Sequence, residues 1–343
     1  MEEGVRCMRA RGWLIPALAG PTALIVLSGC SGDRLGPDVP TREPATAAVS
    51  PATTGTPAGT VSPLSGTRAL LAETGTGRLA ALDTAGTTLS LLDPTRPDAV
   101  RAVPLPVAGA ALGQGRAGEV LVAAPERVLR VDAGTGAVTE LPVDGDVHSV
   151  QTRTDGTLFA GTGDGKLYEF DPTGTLVRTV DGLVSTDAIA LTGDDVTVLD
   201  RRQTTVTAIA GDEPGLMLRA GDGATNALAD TRGRILVTDT AGGELQVYTA
   251  DPLVLRQRFP VGSSPYAIAY DPAADVVWVT CTQSNEILGF DLSTGIPVQV
   301  GRFATVRQPD AVTVDTRTGD LLVASATGDG LQRIGADQRK RGQ

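Results

Sequence analysis

The chain has 343 residues, a formal net charge of −11, 3% aromatic residues and a single histidine, His148. An acidic chain this poor in rings offers neither the basic patch nor the stacking platforms of a nucleic-acid binder, and one histidine excludes a three-histidine zinc centre. Neither a Gly-x-Ser-x-Gly elbow nor a Gly-x-x-x-x-Gly-Lys loop occurs, so those two signatures of serine-hydrolase and phosphate-loop chemistry are missing.

Residues 1–29 read as an export signal. Arg9 and Arg11 precede an apolar run that begins at Trp13, and Leu27-Ser28-Gly29 places small residues directly before Cys30. That layout is the lipobox of a bacterial lipoprotein signal. It predicts cleavage before Cys30, acylation of its thiol with a palmitate-type chain, and anchoring at the outer face of the cytoplasmic membrane. Pro16, Gly20 and Pro21 interrupt the run, which argues against a spanning helix of about 20 residues. Met8 is an alternative start, since Met1 to Cys7 adds two acidic residues to a region that is normally basic. With Cys7 removed and Cys30 acylated, Cys281 stands alone and no disulfide is expected within the mature chain.

Residues 30–59 read as a disordered tether. Proline, threonine, alanine and glycine dominate, no aromatic residue occurs, and too little apolar surface is available to offset ordering. Extended at ~3.1 Å per residue, the whole stretch 31–66 would hold a domain up to about 110 Å from the membrane. Its threonines and prolines permit O-glycosylation. A chain beginning at Thr53 is accordingly expected to be as stable as the whole.

From residue 60 to 335 the sequence repeats. Short apolar runs begin near Arg68, Gly109, His148, Asp187, Asn226, Tyr266 and Asp310, at spacings of 39 to 44 residues. Each is followed by further β-type runs separated by Gly or Asp-Gly turns. Periods near 40 with about four strands each predict an all-β fold, a seven-bladed β-propeller with four-stranded antiparallel blades. The opening strands are expected to be the most buried, lying between neighbouring blades. Asp132, Asp171 and Asp291, each followed closely by Gly136, Gly174 and Gly295, read as turn formers. The last repeat lacks a fourth strand, and residues near Thr60 to Leu64 are placed to supply it and hide its edge. Residues 336–343 read as a polar tail.

The sixth repeat, SPYAIAYDPAADVVWVTCTQSNEILGFDLSTGIPVQV, resembles the YVTN repeat of YncE-like seven-bladed propellers, with Trp278-Val279-Thr280-Cys281 at the position of the family's Tyr-Val-Thr-Asn. Cys281 stands where that pattern has Asn and reads as a small buried hydrophobe. With the lipobox and tether, the chain is also similar to mycobacterial envelope lipoproteins. Two lysines against many arginines fit a high-GC genome such as an actinobacterial one. The resemblance implies a location and a fold more than a mechanism.

In a propeller, the equivalent residue of each opening strand reaches the mouth of the central channel. Arg68, His148, Asp187, Asn226, Tyr266 and Asp310 are therefore expected to form a ring there, with Gly109 as its bare member. Oxygen atoms of Asp187, Asn226 and Asp310 would suit Ca²⁺ or another divalent cation, at a position similar to the metal site of gluconolactonase-type propellers, though the glutamate of those proteins is not evident. The primary expectation is a membrane-anchored binding or scaffold module with an envelope protein as partner and no catalysis. The alternative is a metal-dependent, lactonase-like hydrolase using the ring.

Overall fold

The computed structural model describes residues 40–339. The expected signal at 1–29, Cys30 and the first part of the tether lie outside the described residues, as does the end of the tail. The short strand β1 (Thr60–Ser62) precedes a first sheet of β2 (Thr67–Ala72), β3 (Leu79–Asp83), β4 (Thr88–Asp93) and β5 (Arg96–Pro104). A six-stranded sheet follows, made of β6 (Ala111–Gln114), β7 (Glu119–Asp132), β8 (Val138–Thr152), β9 (Leu158–Thr162), β10 (Leu167–Phe170) and β11 (Leu176–Val180). Then come three four-stranded sheets: β12 (Ala188–Thr192) to β15 (Glu213–Arg219) through β13 (Asp195–Asp200) and β14 (Thr205–Ala210); β16 (Ala224–Ala229) to β19 (Val254–Pro260) through β17 (Arg234–Asp239) and β18 (Glu244–Thr249); and β20 (Pro265–Asp271) to β23 (Val298–Ala304) through β21 (Val276–Cys281) and β22 (Glu286–Asp291). The last sheet joins β24 (Ala311–Asp315), β25 (Asp320–Ala324) and β26 (Leu331–Ile334) to β1. Every strand pair is antiparallel, and the architecture is an all-β propeller.

Six hydrogen-bonded sheets replace the seven separate four-stranded blades expected from the repeats. The difference lies in the second and third repeats, which share one sheet. Strand β7 doubles back at Pro125–Glu126, where Glu126 takes a φ of 60°, so that Arg130 Nε reaches Glu119 Oε1 at 2.9 Å. Strand β8 runs without a break from its pairing with the second half of β7 to its pairing with β9. The outer strand of one repeat thus continues as the inner strand of the next. The opening segments of all seven repeats still neighbour one another in a closed ring, β2, β6, β8, β12, β16, β20, β24 and back to β2.

Closure comes from the amino-terminal side. β1 pairs with β26, Thr60 opposite Arg333 and Ser62 opposite Leu331, so the last sheet presents no bare edge there.

Burial peaks on the second strand of each repeat and not, as expected, on the first. β21 and β25 are buried along their whole length, and β3, β13 and β17 nearly so. A second strand is covered by sheets on both sides, while an opening strand turns one side to the wet channel. Leu79, Leu82, Leu121, Leu199 and Leu236 are at most 1% exposed, and full burial of such a side chain contributes about 1.5–3 kcal/mol. Cys281 sits in this layer, 1% exposed, and burial first, then the nearby Glu286, pushes its thiol up to about 12. Asp132, Asp171 and Asp291 accept backbone N–H bonds from Thr135, Thr173 and Ser293 and so shape their own turns.

Residues 40–59 are not a free tether. They run across the β13–β14 turn, the connection before β20 and the β21–β22 turn, where Arg42 N donates to Arg202 O, Ala48 N to Ser264 Oγ, and Asn285 Nδ2 to Pro51 O. Ser50 is only 2% exposed. Composition misled here because the strap is fixed by backbone and small-side-chain hydrogen bonds, which need no apolar bulk of its own. The expected tail likewise includes a helical turn, α1 (Ala336–Arg339).

Candidate functional site

The connections that precede the opening strands and the turns between second and third strands share one face of the propeller. At its centre a cavity of about 690 Å³ opens, and Arg68, His148, Asp187, Asn226, Tyr266 and Asp310 all line it. Gly109 supplies no side chain for a packing reason: a Cβ there would lie 2.4 Å from Val122 Cγ1. Pro44 of the strap and Arg201 of the β13–β14 turn complete the rim.

His148 is held between two carboxylates. Its Nδ1 lies 3.0 Å from Asp187 Oδ1 and its Nε2 3.5 Å from Asp146 Oδ2. The ring packs over Gly163, where any Cβ would sit 2.6 Å from it. The hydrogen bond to Asp187 raises the pKa of His148 above its usual value, against burial and with help from the charges of Asp187 and Asp146. The imidazolium, with both N–H groups donating, is the form this geometry favours.

Asp187 is fully engaged. Burial pushes its carboxyl up, but hydrogen bonds from His148, from Ser185 Oγ at 2.6 Å and from the Arg201 amide at 2.8 Å outweigh that and leave it below the ordinary range. Asn226 Nδ2 donates to Tyr266 O at 3.0 Å. Asp310 accepts one bond, 2.8 Å from Gln308 Nε2, and burial, only partly countered by that bond, lifts its pKa to about 6. Burial also raises the Tyr266 phenol, which feels the charges of Arg201, Asp310 and Arg68.

Asp187, Asn226 and Asp310 share the cavity but do not assemble a cation site. Both oxygens of Asp187 face donors of its own chain, Asn226 turns its amide nitrogen to a carbonyl, and burial disfavours the charged form of Asp310. Among the described residues no group of three or more His, Cys, Asp or Glu side chains could hold a metal ion. The side-chain directions therefore lend no support to the Ca²⁺ expectation or to the lactonase-like hydrolase that depended on it.

Two guanidiniums stand out. Arg68 Nη1 donates to Gly109 O at 3.2 Å, and Arg201 Nη2 donates to Ala45 O at 2.6 Å while its buried Nε has no partner among the described residues. Neither makes an ion pair within the described residues. Arg201 is a site residue that reading the opening strands alone misses. Aligning the second-strand ends would have found it: Leu82-Asp83-Thr84 and Thr238-Asp239-Thr240 correspond to Leu199-Asp200-Arg201, so an arginine stands where those two turns carry threonine.

No protein-family model matches the sequence, and no curated protein matches it. Solved structures do match in fold. Hydrazine synthase of Kuenenia stuttgartiensis is 13% identical, with 83% of this chain and 99% of that one covered at a TM-score of 0.69. A catalytically inactive virginiamycin B lyase from Staphylococcus aureus, solved with quinupristin, is 14% identical over 80% of this chain and 98% of that one, at 0.66. The WD40 propeller domain of Doa1 is 14% identical over 84% and 99%, at 0.64. At these identities the likeness establishes the β-propeller fold and leaves activity to the site.

Proposed function

We propose that this protein is an extracytoplasmic binding module of the cell envelope, held at the membrane by lipid on Cys30, that receives a ligand in the channel-mouth cavity. The observation that carries the reading is the cavity itself. It is large enough for a small organic molecule, and its rim holds side chains from strands of four sheets and from the connections leading into the other two, including two arginines without a carboxylate partner among the described residues. The arrangement offers recognition groups without an assembled nucleophile or metal site. The Leu27-Ser28-Gly29-Cys30 string and the similarity of the sixth repeat to YVTN-type envelope propellers support the location. An envelope protein that docks on the same face is the partner this placement suggests.

The test is a membrane extraction of the full chain in mild detergent, followed by mass spectrometry of what stays bound. The unaltered protein is expected in the membrane fraction with a small molecule attached, Cys30→Ser is expected to leave that fraction or retain its signal, and Asn226→Trp is expected to block the cavity and lose the small molecule. A chain that is processed and membrane-bound without Cys30, or a cavity whose blockage changes nothing that co-purifies, would remove the corresponding half of the reading.

A further inference from the structure

We infer that the channel-mouth cavity selects an organic anion, a carboxylate or phosphate group on an apolar body, gripped by the guanidiniums of Arg68 and Arg201. The inference rests on the reading that this cavity takes a ligand and adds the chemical class of that ligand.

Charge is the first argument. The chain as a whole carries −11, yet the cavity gathers Arg68, Arg201 and the imidazole of His148. Two acids face the same space, and neither neutralises the guanidiniums. Asp187 is taken up by His148, Ser185 and the Arg201 amide. Asp310 is turned to Gln308.

Donor capacity is the second. A guanidinium carries five N–H donors in a planar fork. Arg68 has one acceptor, the Gly109 carbonyl, and Arg201 has one, the Ala45 carbonyl. Arg201 Nε is buried and faces none among the described residues, an arrangement that costs free energy until an acceptor arrives. Carboxylate and phosphate oxygens match the fork in pairs, and such charge-assisted bonds are the stronger kind. The Tyr266 phenol lines the same cavity and feels the charge of both guanidiniums, so it adds a further donor.

The floor is the third. Two residues beyond the ring, on the same face of each opening strand, lie Leu70, Ile268 and Val312, all lining the cavity. Charge at the rim over an apolar floor fits a ligand whose acidic head stays at the mouth while its body enters the channel.

Four probes of one shape test this by calorimetry on the detergent-solubilised full chain: benzoate, phenyl phosphate, benzylamine and benzyl alcohol. Benzoate or phenyl phosphate is expected to bind one per chain at least tenfold more tightly than benzylamine and benzyl alcohol. Which of the two binds better identifies the head group. Arg68→Gln is expected to weaken the anion at least tenfold with little change in melting temperature, because the exposed Arg68 side chain makes a single long bond, to the Gly109 carbonyl. Arg201→Lys, which keeps the charge and the reach to Ala45 but loses the fork, is expected to weaken it as well. Anions that bind no better than benzylamine, or binding indifferent to both substitutions, would overturn the inference. If benzylamine or benzyl alcohol binds best and Asn226→Trp abolishes that binding, the cavity remains a ligand site and only its anion selectivity falls.

Discussion

Ser50 and Gln308 clasp each other across most of the chain: Ser50 N donates to Gln308 Oε1 at 2.8 Å, and Gln308 N donates to Ser50 Oγ at 3.1 Å. The same serine hydroxyl donates to Thr282 O at 2.5 Å. Gln308 Nε2 then reaches both Ala48 O, at 3.1 Å, and Asp310 Oδ1, at 2.8 Å. One glutamine side chain therefore joins the strap to the channel-mouth ring, so the order of residues 40–52 and the shape of the cavity are linked.

Loss of the strap should consequently be felt in stability. A chain beginning at Thr53 lacks Ser50 and leaves the Gln308 side chain without its strap partners, so it is expected to melt several degrees below one beginning at Pro40. Ser50→Ala alone is expected to cost about 1–3 kcal/mol, the range for a buried polar group left without its bond. Guanidinium denaturation of the three chains measures both effects, and equal midpoints would return residues 40–52 to the status of linker.

His148 sets a pH dependence of definite sign. Folded, it holds its proton more tightly than in the unfolded chain. Its contribution to stability is therefore complete below about pH 6.5 and is lost as pH rises through the higher folded value. Asp187, held below the ordinary range, contributes in the opposite window, losing its effect only as pH falls through its lowered value. His148→Gln is expected to flatten the decline in stability between pH 6 and 8. Unfolding free energies measured across that interval decide it, and parallel curves for the two proteins would count against the ion pair.

Asp310 is shifted in the opposite direction to Asp187. Its pKa of about 6 lies above the unfolded value, so the native state binds the extra proton between about pH 4 and 6. Stability contributed by that group falls across this range and the penalty is complete above it. Asp310→Asn removes the charge and is expected to stabilise the protein by on the order of 1–3 kcal/mol at pH 8, with the gain disappearing toward pH 4. Gln308 Nε2 can still bond the amide oxygen, so the strap should remain in place. A variant no more stable than its parent at pH 8 would show that water reaches the carboxylate.

Repeat spacing made much of this fold legible, because a strand–turn unit recurring about every 40 residues has few ways to bury its apolar faces. The membership of the cavity rim followed from the same register, since Arg68, His148, Asp187, Asn226, Tyr266 and Asp310 occupy equivalent places in their repeats. What spacing could not express was continuity: nothing in Val143-Asp144-Gly145-Asp146 says that β8 will carry hydrogen bonding from one repeat into the next. Nor could composition foresee the strap, whose order comes from partners such as Gln308 and Thr282 far along the chain. The metal expectation finds no support in the side-chain directions for a related reason. Type and position of Asp187 suggested a ligand, but nothing at that position says that its second oxygen is taken by the Ser185 hydroxyl and the Arg201 amide.

The carboxy-terminal turn α1 supplies a last test, because a segment that reads as a polar tail ends in one of the most deeply placed cations among the described residues. Arg339 is 9% exposed at its side chain, pairs through Nη1 with Asp271 Oδ2 at 2.7 Å, and lies 5.3 Å from the centre of the Trp278 ring. Asp271 is 2% exposed at its side chain. Its other oxygen is held by the amides of Ala273 and Ala274, so removing the arginine leaves a buried carboxylate half-satisfied. Breaking a buried pair from one side costs about 3–5 kcal/mol, and the remaining turn amides reduce that here. Arg339→Ala is expected to lower stability by roughly 2–4 kcal/mol, and Arg339→Lys by less, since it keeps the charge but loses the flat contact with Trp278. Urea unfolding followed through tryptophan fluorescence reads the midpoint and, if the slope is unchanged, the free energy. A loss below about 0.5 kcal/mol for Arg339→Ala, the range of an ordinary surface substitution, would mean that the pair is solvated and that the tail only rests on the propeller.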